Sequence, residues 1–230
     1  MLIIVDAKIP SMAKEALRAM GQLLELVTDG IVYPAISGHP DIFFCRVGQE
    51  LVVAPNLPAH YLEILVSHGI KTICGKNLLG KQYPASAHYN AVATQEYLIH
   101  HPAITDEVIK KLFINKKTLD VKQGYTRCNL MMMGEEHALT SDAGIGRVLE
   151  QAGIKTLLVD PGVVRLPGFD NGFFGGCCGV WQDAVYVLAG RDGFAQSAET
   201  ESFATSAGYR ICWLTNEAPF DGGGIFFVDE

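Results

Sequence analysis

The sequence lacks basic clusters, long apolar runs and the glycine loops that bind nucleotides. Lys and Arg total 18 against 25 Asp and Glu, and no five basic residues stand together, so we expect no nucleic-acid partner. No apolar run approaches the ~18 residues of a membrane helix, and we expect no membrane partner. The first ten residues have no basic region, and Asp6 interrupts their apolar stretch, which argues against a secretory signal. Neither a P-loop nor a GxGxxG loop is present, so we predict no cofactor.

Cysteine is present, but not at the spacings that form metal sites. The six cysteines include no CxxC pair, and most lie in apolar stretches where cysteine behaves as a small hydrophobic residue. They are Cys45, Cys74, Cys128, Cys177, Cys178 and Cys212. A metal site built from several of them would require a convergence that the spacing does not indicate, and we predict none. The pattern favours a reducing, cytoplasmic location.

The chain is long enough to bury one sizeable core. It has 230 residues, of which 49% are hydrophobic and 19% are charged, so we predict one globular domain over residues 1–230. Nothing in the sequence predicts an oligomeric state.

A phrase of apolar strand, short polar turn and second apolar strand occurs four times. The copies begin at Asp41, Asn90, Asn129 and Cys177, and their turns begin at residues 48, 94, 134 and 181. This spacing of 40 to 47 residues suits one repeated supersecondary unit. Adjacent apolar residues on both sides of a polar turn predict a pair of buried strands.

A helix and a third strand are predicted to follow each strand pair. Residues 60–68 place Tyr61 and Leu65 on one helical face, and residues 108–113 repeat the pattern. Gly69, Gly153 and Gly208 stand where a helix ends in a left-handed residue before a strand. The repeated unit is therefore ββαβ.

The two chain ends supply the parts of a fifth unit. The C-terminal GGGIFFVDE offers a first strand, and the N-terminal LIIVD, the helical residues 11–20 and LLELV offer the rest. A unit split between both ends would close a ring without free sheet edges. We predict an α/β fold, a five-bladed pseudo-symmetric α/β-propeller of ββαβ units whose last unit is closed by both termini. The alternative is an ordinary α/β domain with coincidental internal similarity.

This arrangement resembles the pentein fold, that of the guanidino-modifying enzymes, over nearly the whole chain. The superfamily includes deiminases, dimethylarginine hydrolases and amidinotransferases, and also a ribosome anti-association factor without catalytic activity. Residues 222–227 (GGGIFF) are similar to a GGxIxC segment of agmatine deiminases, and residues 173–178 (FFGGCC) are similar to an EGGD segment. The resemblance places Phe227 where the nucleophilic cysteine would lie. It also places Phe174 and Cys177 where carboxylates would bind a guanidinium group.

In such a ring, the polar residues just before each first strand converge on the axis. They are His39, Asp41, His88, Asn90, Arg127, Asn129, Cys177, Cys178 and Asp221. As catalytic residues we consider His39 or His88 as general base and Cys177 or Cys178 as nucleophile, because nearby amides or cations lower a thiol pKa. The other polar residues would bind substrate, with Asp41 holding a cationic group. The alternative roles are structural, as turn residues that tie strand entries together and as small buried cysteines.

Two functions remain open from the sequence. The first is a hydrolase that acts on a guanidino or amide C–N bond of a small molecule in an axial pocket. The second is a non-catalytic protein that binds a small ligand or a macromolecular partner, and Phe227 favours it because an aromatic ring cannot attack a guanidinium carbon. Retention of histidine, aspartate and cysteine at the strand entries favours the first, although fold alone does not decide function.

Overall fold

The structure is a computed structural model that describes residues 1–229. It contains fifteen strands, which are β1 (Leu2–Asp6), β2 (Gln22–Leu26), β3 (Phe44–Val47), β4 (Glu50–Val53), β5 (Thr72–Cys74), β6 (Val92–Ala93), β7 (Tyr97–His100), β8 (Lys117–Asp120), β9 (Leu130–Met133), β10 (His137–Thr140), β11 (Lys155–Leu158), β12 (Cys178–Trp181), β13 (Ala184–Val187), β14 (Arg210–Trp213) and β15 (Phe226–Val228). The α-helices are α1 (Ser11–Arg18), α2 (Pro40–Phe43), α3 (Ala59–Ser67), α4 (Glu107–Leu112), α5 (Thr126–Asn129), α6 (Ala143–Gln151) and α7 (Ser197–Ser206). Three short 3-10 helices complete the described elements, at Pro34–Ile36, Pro161–Val163 and Phe174–Cys177.

The strands form five three-stranded sheets of one design. In each sheet the first strand pairs antiparallel with the second, and the third strand pairs parallel with the second, as β3, β4 and β5 do. A helix connects the second strand to the third, because a parallel neighbour needs a crossover connection. The other sheets are β6-β7-β8, β9-β10-β11, β12-β13-β14 and β15-β1-β2. The predicted ββαβ unit is confirmed.

The two ends of the chain share the fifth sheet. Ile3 pairs with Phe227 in the antiparallel ladder between β1 and β15. Leu2 pairs with Gln22 in the parallel ladder between β1 and β2. The predicted pairing of the N-terminal and C-terminal segments is therefore confirmed.

The predicted helix ends also appear in the structure. Gly153 follows α6 and has a φ of 84°, which lies in the left-handed region. Glycine adopts this conformation at little energetic cost because it has no Cβ. Gly69 and Gly208 have the same conformation after α3 and α7. Each of these residues turns the chain into the third strand of its sheet.

The core lies between the sheets and around their second strands. All residues of β1, β7, β10 and β13 are buried, whereas the third strands are half-buried or exposed at most positions. Strands covered on both faces read as continuous apolar runs, which explains why the repeated phrases lack an alternating pattern. None of the helices within residues 1–229 combines the length and apolar character needed to cross a membrane.

The five first strands are neighbours in chain order. β3 contacts β6, β6 contacts β9, β9 contacts β12, and β12 contacts β15. A hydrogen bond also joins β3 to β15, because Arg46 Nη1 on β3 donates to the carbonyl oxygen of Phe227 on β15 at 2.5 Å. This order brings together the residues that precede each first strand.

Candidate functional site

Short helices position the residues that precede the first strands. Pro40 occupies the first turn of α2, where its missing N–H group is tolerated, and Asp41 follows it. The Asp41 amide donates to the carbonyl of Gly223 at 3.1 Å. This bond joins the entry of β3 to the entry of β15 and directs the Asp41 side chain into the protein, where it is 0% exposed.

Cys128 and Asp41 meet at the centre of this region. The Cys128 thiol donates to Asp41 Oδ2 at 2.9 Å. Asn90 supports both residues, because its Nδ2 donates to the Asp41 carbonyl at 3.1 Å and to Cys128 Sγ at 3.3 Å. Its Oδ1 accepts from the Cys128 amide at 3.1 Å. Asn90 therefore fixes the thiol and the carboxylate relative to each other.

The imidazole of His39 lies between two further carboxylates. Its Nε2 is 3.8 Å from Asp6 Oδ2, and its Nδ1 is 3.9 Å from Asp221 Oδ1. All three side chains are buried. These separations exceed hydrogen-bond length, so the histidine is surrounded by acidic groups without being bonded to either.

Asp221 is held by backbone amides. Its Oδ1 accepts from Gly223 N at 3.1 Å, and its Oδ2 accepts from Phe173 N at 2.9 Å. Gly176 passes directly against this carboxylate, and a Cβ there would collide with it. The glycine-rich 173–178 segment thus allows the backbone to approach Asp221 closely.

Burial dominates the electrostatics of this group. Desolvation raises the pKa of Asp41 to about 7, although the Arg127 charge acts in the opposite direction. It also raises the pKa of Asp221 to about 7 and that of Asp6 to about 6. The pKa of His39 falls to about 3, first through burial and then through the Lys8 charge. A cation entering this region would favour the ionised carboxylates.

Three buried polar atoms of this group have no hydrogen-bond partner among the described residues. They are Asp6 Oδ2, His39 Nδ1 and Asp41 Oδ1. Buried polar atoms are normally paired, and an unpaired one costs about 1–3 kcal/mol. These three atoms are available to bind water or a small molecule.

A cavity reaches this group from outside. It has a volume of about 240 Å³, and its lining includes Asp6, His39 and Asp221, with Lys8 and Phe220 among the other residues. The cavity is therefore a route by which a small molecule contacts two carboxylates and the imidazole. We name Asp6, His39, Asp41, Cys128 and Asp221 together the acidic cluster.

Part of the acidic cluster has the donor chemistry of a metal site. Donor atoms of His39, Asp41 and Cys128 lie within 4.8 Å of one another. A metal ion would require the thiolate, but Cys128 Sγ and Asp41 Oδ2 approach to 2.9 Å, a separation at which two anions share a proton. In the structure the thiol and the carboxylate are therefore joined by a hydrogen bond.

Several candidates from the sequence lie apart from the acidic cluster. His88 Nδ1 bonds the Ile104 carbonyl at 2.7 Å. Asn129 donates to the Tyr125 carbonyl at 2.9 Å and accepts from Ser141 Oγ at 3.0 Å. These hydrogen bonds join each residue to another segment of its own unit, and they fit the structural role that is the alternative for such residues.

The two adjacent cysteines are also bonded to backbone. Cys177 Sγ donates to the Phe173 carbonyl at 3.6 Å, and Cys178 Sγ donates to the Phe174 carbonyl at 3.3 Å. Both are 0% exposed. Burial raises the pKa of Cys178 to about 12 and that of Cys177 well above its usual range. Burial likewise raises the pKa of Cys128 well above its usual range, so the pKa does not distinguish these three thiols. Cys177 and Cys178 differ from Cys128 in that backbone carbonyls, and no carboxylate, accept their hydrogen bonds.

Arg127 lies at the centre of the first strands. Its Nη1 donates to the Gly175 carbonyl at 2.7 Å and its Nη2 donates to the Cys178 carbonyl at 2.9 Å. The guanidinium group also stacks over the Phe226 ring at 5.6 Å.

The sequence itself identifies the family. Residues 4–226 match the model of a "Family of unknown function (DUF6873)". The chain belongs to this family. No curated protein matches this member of DUF6873.

Solved structures resemble this DUF6873 member in fold. The amidinotransferase SxtG of Microseira wollei, from saxitoxin biosynthesis, superposes with TM-score 0.52 at 11% identity, covering 92% of this chain and 87% of that one. DDAH from Pseudomonas aeruginosa, solved with citrulline, gives TM-score 0.53 at 11% identity and covers 92% and 91%. Agmatine deiminase of C. jejuni gives 0.50 at 7% identity and covers 84% and 70%. The fold therefore resembles that of these guanidino-modifying enzymes, and the predicted resemblance to the pentein fold is confirmed.

Phe227 belongs to the core of this DUF6873 member. It is 2% exposed, and its ring centroid lies 5.0 Å from that of Tyr186 and 5.9 Å from that of Trp181. The position to which the family resemblance assigned a nucleophile thus holds a packing residue.

Sequence reasoning left two residues of the acidic cluster out of the candidate site. Asp6 ends a buried strand, and a carboxylate directly after the apolar run LIIV was a usable signal. Cys128 stands between the candidates Arg127 and Asn129 but was treated as a small buried residue. Both contribute through side-chain contacts with residues far away in sequence.

Proposed function

We propose that the chain is a five-bladed ring that binds a small guanidino compound at the acidic cluster and hydrolyses one of its C–N bonds. Five ββαβ sheets, the shared sheet of the chain ends and the adjacent first strands support the ring. Residues 1–230 then form one domain. The fold of guanidino-modifying enzymes supports the reaction class, and the acidic cluster supplies the chemical groups.

One observation carries this proposal, namely the convergence of thiol, carboxylate and imidazole at the strand entries. Cys128 Sγ is 2.9 Å from Asp41 Oδ2, and a ring nitrogen of His39 lies within 4.8 Å of both groups. A nucleophile beside a base is the basic unit of covalent catalysis. We therefore place the nucleophile at Cys128 instead of Cys177 or Cys178.

Asp41 is the general base in this scheme. It accepts the Cys128 proton as sulfur attacks the guanidinium carbon, and one C–N bond then breaks to release ammonia or an amine. The released nitrogen takes up the proton, and water hydrolyses the resulting thiouronium to a ureido product and the free thiol. A carboxyl group whose pKa is raised to about 7 is suited to accepting and returning a proton near neutral pH.

The remaining carboxylates recognise the positive charge of the substrate. Asp6 Oδ2 has no partner among the described residues, and Asp221 faces the same cavity. A guanidinium group presents paired N–H donors that match carboxylate geometry. Its charge would also lower the carboxylate pKa values and offset the cost of burying them.

Substrate entry requires a side chain to move. Cys128 is 3% exposed, while the cavity ends at His39, Asp6 and Asp221. We propose that the His39 ring rotates as the cationic group binds between the two carboxylates. The six cysteines are unpaired, which supports a reducing, cytoplasmic setting for such a thiol enzyme.

The experiment is covalent labelling with 2-chloroacetamidine at pH 7.5, followed by peptide mass spectrometry. We expect labelling at Cys128, loss of labelling in Cys128→Ser and slower labelling in the presence of agmatine or L-arginine. Cys178→Ser is the matched control, because it removes another buried thiol at a strand entry and should leave the labelling rate unchanged. Labelling only at Cys177 or Cys178, or none at all, rejects Cys128 as the nucleophile.

Turnover decides between catalysis and binding. Ammonia and ureido products are measured after incubation with a panel of guanidino compounds, using Cys128→Ser as the inactive control. Saturable binding of a guanidino compound without product, in the wild type, would instead identify a non-catalytic binding protein.

A further inference from the structure

A second cavity lies among the five first strands. Its volume is about 210 Å³. Each of the five first strands contributes to its lining, through Arg46 on β3, Val92 on β6, Met132 on β9, Val180 on β12 and Phe226 on β15. The lining includes Val92 and Phe226, the first residues of β6 and β15, and Arg127, which precedes β9. No residue of the acidic cluster lines this cavity, so the two sites share no side chain.

Arg127 is one of the residues that line this cavity. Two backbone carbonyls and the Phe226 ring hold its guanidinium group in place. A guanidinium group has five N–H donors, and the described contacts use two of its nitrogens. The group is therefore immobilised before any ligand arrives, which lowers the entropic cost of binding.

Arg46 supplies a second positive charge at the exposed side. It donates from Nε to the Gly48 carbonyl at 3.1 Å and from Nη1 to the Phe227 carbonyl at 2.5 Å. Within residues 1–229, neither Arg46 nor Arg127 forms an ion pair with a carboxylate. Two guanidinium groups thus line one small cavity, and no carboxylate of the described residues is bonded to them.

We propose that this cavity binds a small carboxylate with an apolar body. The two arginines suit a carboxylate group, because the planar guanidinium donates paired hydrogen bonds to two oxygens. The other lining side chains are mostly apolar, including Val92, Met132 and Val180, and they suit an aliphatic body. Inorganic phosphate matches the charge but leaves this apolar surface uncovered.

The cavity volume limits the size of the ligand. Pockets for drug-sized molecules measure roughly 300–1,000 Å³, and this one has about 210 Å³. It therefore suits a molecule of the size of a branched short-chain acid. Binding there would depend on neither Cys128 nor Asp41.

The experiment is calorimetric titration of the full chain with linear and branched carboxylates from acetate to octanoate. We expect saturable binding of 3-methylbutanoate with a millimolar or lower Kd. The uncharged 3-methylbutan-1-ol should bind at least about tenfold more weakly, since hydrogen bonds to a charged group contribute a factor of this order or more. Inorganic phosphate should show no saturation over the same range.

Three variants locate the site. Arg46→Gln should weaken 3-methylbutanoate binding about tenfold or more. Met132→Trp should abolish binding by filling the cavity while leaving both arginines in place. Arg147→Gln is the control, because Arg147 is exposed on α6 outside the cavity and its removal should leave Kd unchanged. Circular dichroism checks that each variant is folded.

Three results would overturn the proposal. They are the absence of saturable binding by any carboxylate up to 10 millimolar (roughly −3 kcal/mol), equal binding of acid and alcohol, and unchanged affinity in both Arg46→Gln and Met132→Trp. None of them bears on 2-chloroacetamidine labelling of Cys128. Failure here is therefore distinguishable from failure of the proposed guanidino chemistry.

Discussion

The thiol of Cys128 donates to Asp41 Oδ2 at 2.9 Å, although the two residues are 87 positions apart in the chain. Neither is more than 3% exposed. Burial is the largest cause of the raised pKa of each group. The charge of Asp221 also raises both pKa values, and the charge of Asp41 raises that of Cys128. The 2.9 Å contact is the geometry that the proposed proton transfer from Cys128 to Asp41 requires.

Replacing Asp41 with asparagine should slow the modification of Cys128. The amide would keep the size of the side chain but cannot accept the thiol proton as a base, and general-base assistance contributes about 10²- to 10⁴-fold. We expect the 2-chloroacetamidine labelling rate of Asp41→Asn to fall about 100-fold at pH 7.5. The control is Asp120→Asn, which removes an exposed carboxylate at the end of β8. Equal labelling rates in Asp41→Asn and wild type would show that Asp41 is not the base.

A methyl group at Gly176 should destabilise the protein. It would collide with the Asp221 carboxylate, which binds the Phe173 and Gly223 amides. Overpacking of this kind costs about 1–3 kcal/mol, and we expect Gly176→Ala to lower the free energy of unfolding by that amount in urea denaturation.

The same substitution elsewhere should have the opposite effect. Gly146 lies within α6, and a Cβ there would make ordinary contacts of 3.7 and 3.8 Å with Thr140 and Thr156. Gly146→Ala should therefore raise the free energy of unfolding by about 0.5–1 kcal/mol, because alanine favours helix. Similar losses at both positions would contradict the close approach of Gly176 to Asp221.

His100 should make stability depend on pH. It is buried between Thr105 Oγ1 and the Gly124 carbonyl, each at 2.8 Å, and burial lowers its pKa to about 4 from the ordinary 6.5. Below pH 6.5 the unfolded chain binds a proton that the folded chain does not, so this contribution is lost as the pH falls from 6.5 to about 4.

The measurement compares wild type with His100→Gln in urea denaturation. Above pH 6.5 we expect the wild type to be more stable, by about 1–3 kcal/mol for the lost buried hydrogen bonds. The difference should shrink steadily down to pH 4.5. A difference that grows on acidification would show that the folded state holds a charged His100.

Closure of the proposed ring can be tested by circular permutation. β1 pairs with β15, so a short linker should join the ends, and new ends can be opened in the turn at Gly48 and Gln49 between β3 and β4. We expect this permutant to keep the circular-dichroism spectrum and a Tm within about 10 °C of the wild type. A permutant opened inside the buried β10 is the control and should not fold. Loss of folding in both would contradict adjacent chain ends.

The repeated architecture could be predicted from the sequence because each unit encodes it locally. Polar turns such as the one at Gly134, helix-ending residues such as Gly153 and continuous apolar strands such as β13 each have a short-range signature. The split fifth unit followed from the same signatures at the two ends. Local rules thus identified the ββαβ units and the pairing of β1 with β15.

The candidate site could be predicted only in part, because its chemistry depends on contacts between units. The sequence drew attention to His39, Asp41, Asn90 and Asp221, since they precede predicted strands. It could not distinguish Cys128 from Cys178, because both are cysteines at strand entries. The difference lies in their partners, a carboxylate for Cys128 and a backbone carbonyl for Cys178.

The shared sheet of the chain ends has a consequence for synthesis in the cell. β1 leaves the ribosome with an unpaired edge, and its antiparallel partner β15 is translated about 220 residues later. At 5–20 residues per second this interval lasts roughly 10–45 s. Throughout that time β1 exposes an apolar edge that either a chaperone or another unfolded chain binds. The speed of translation should therefore influence the yield of native protein.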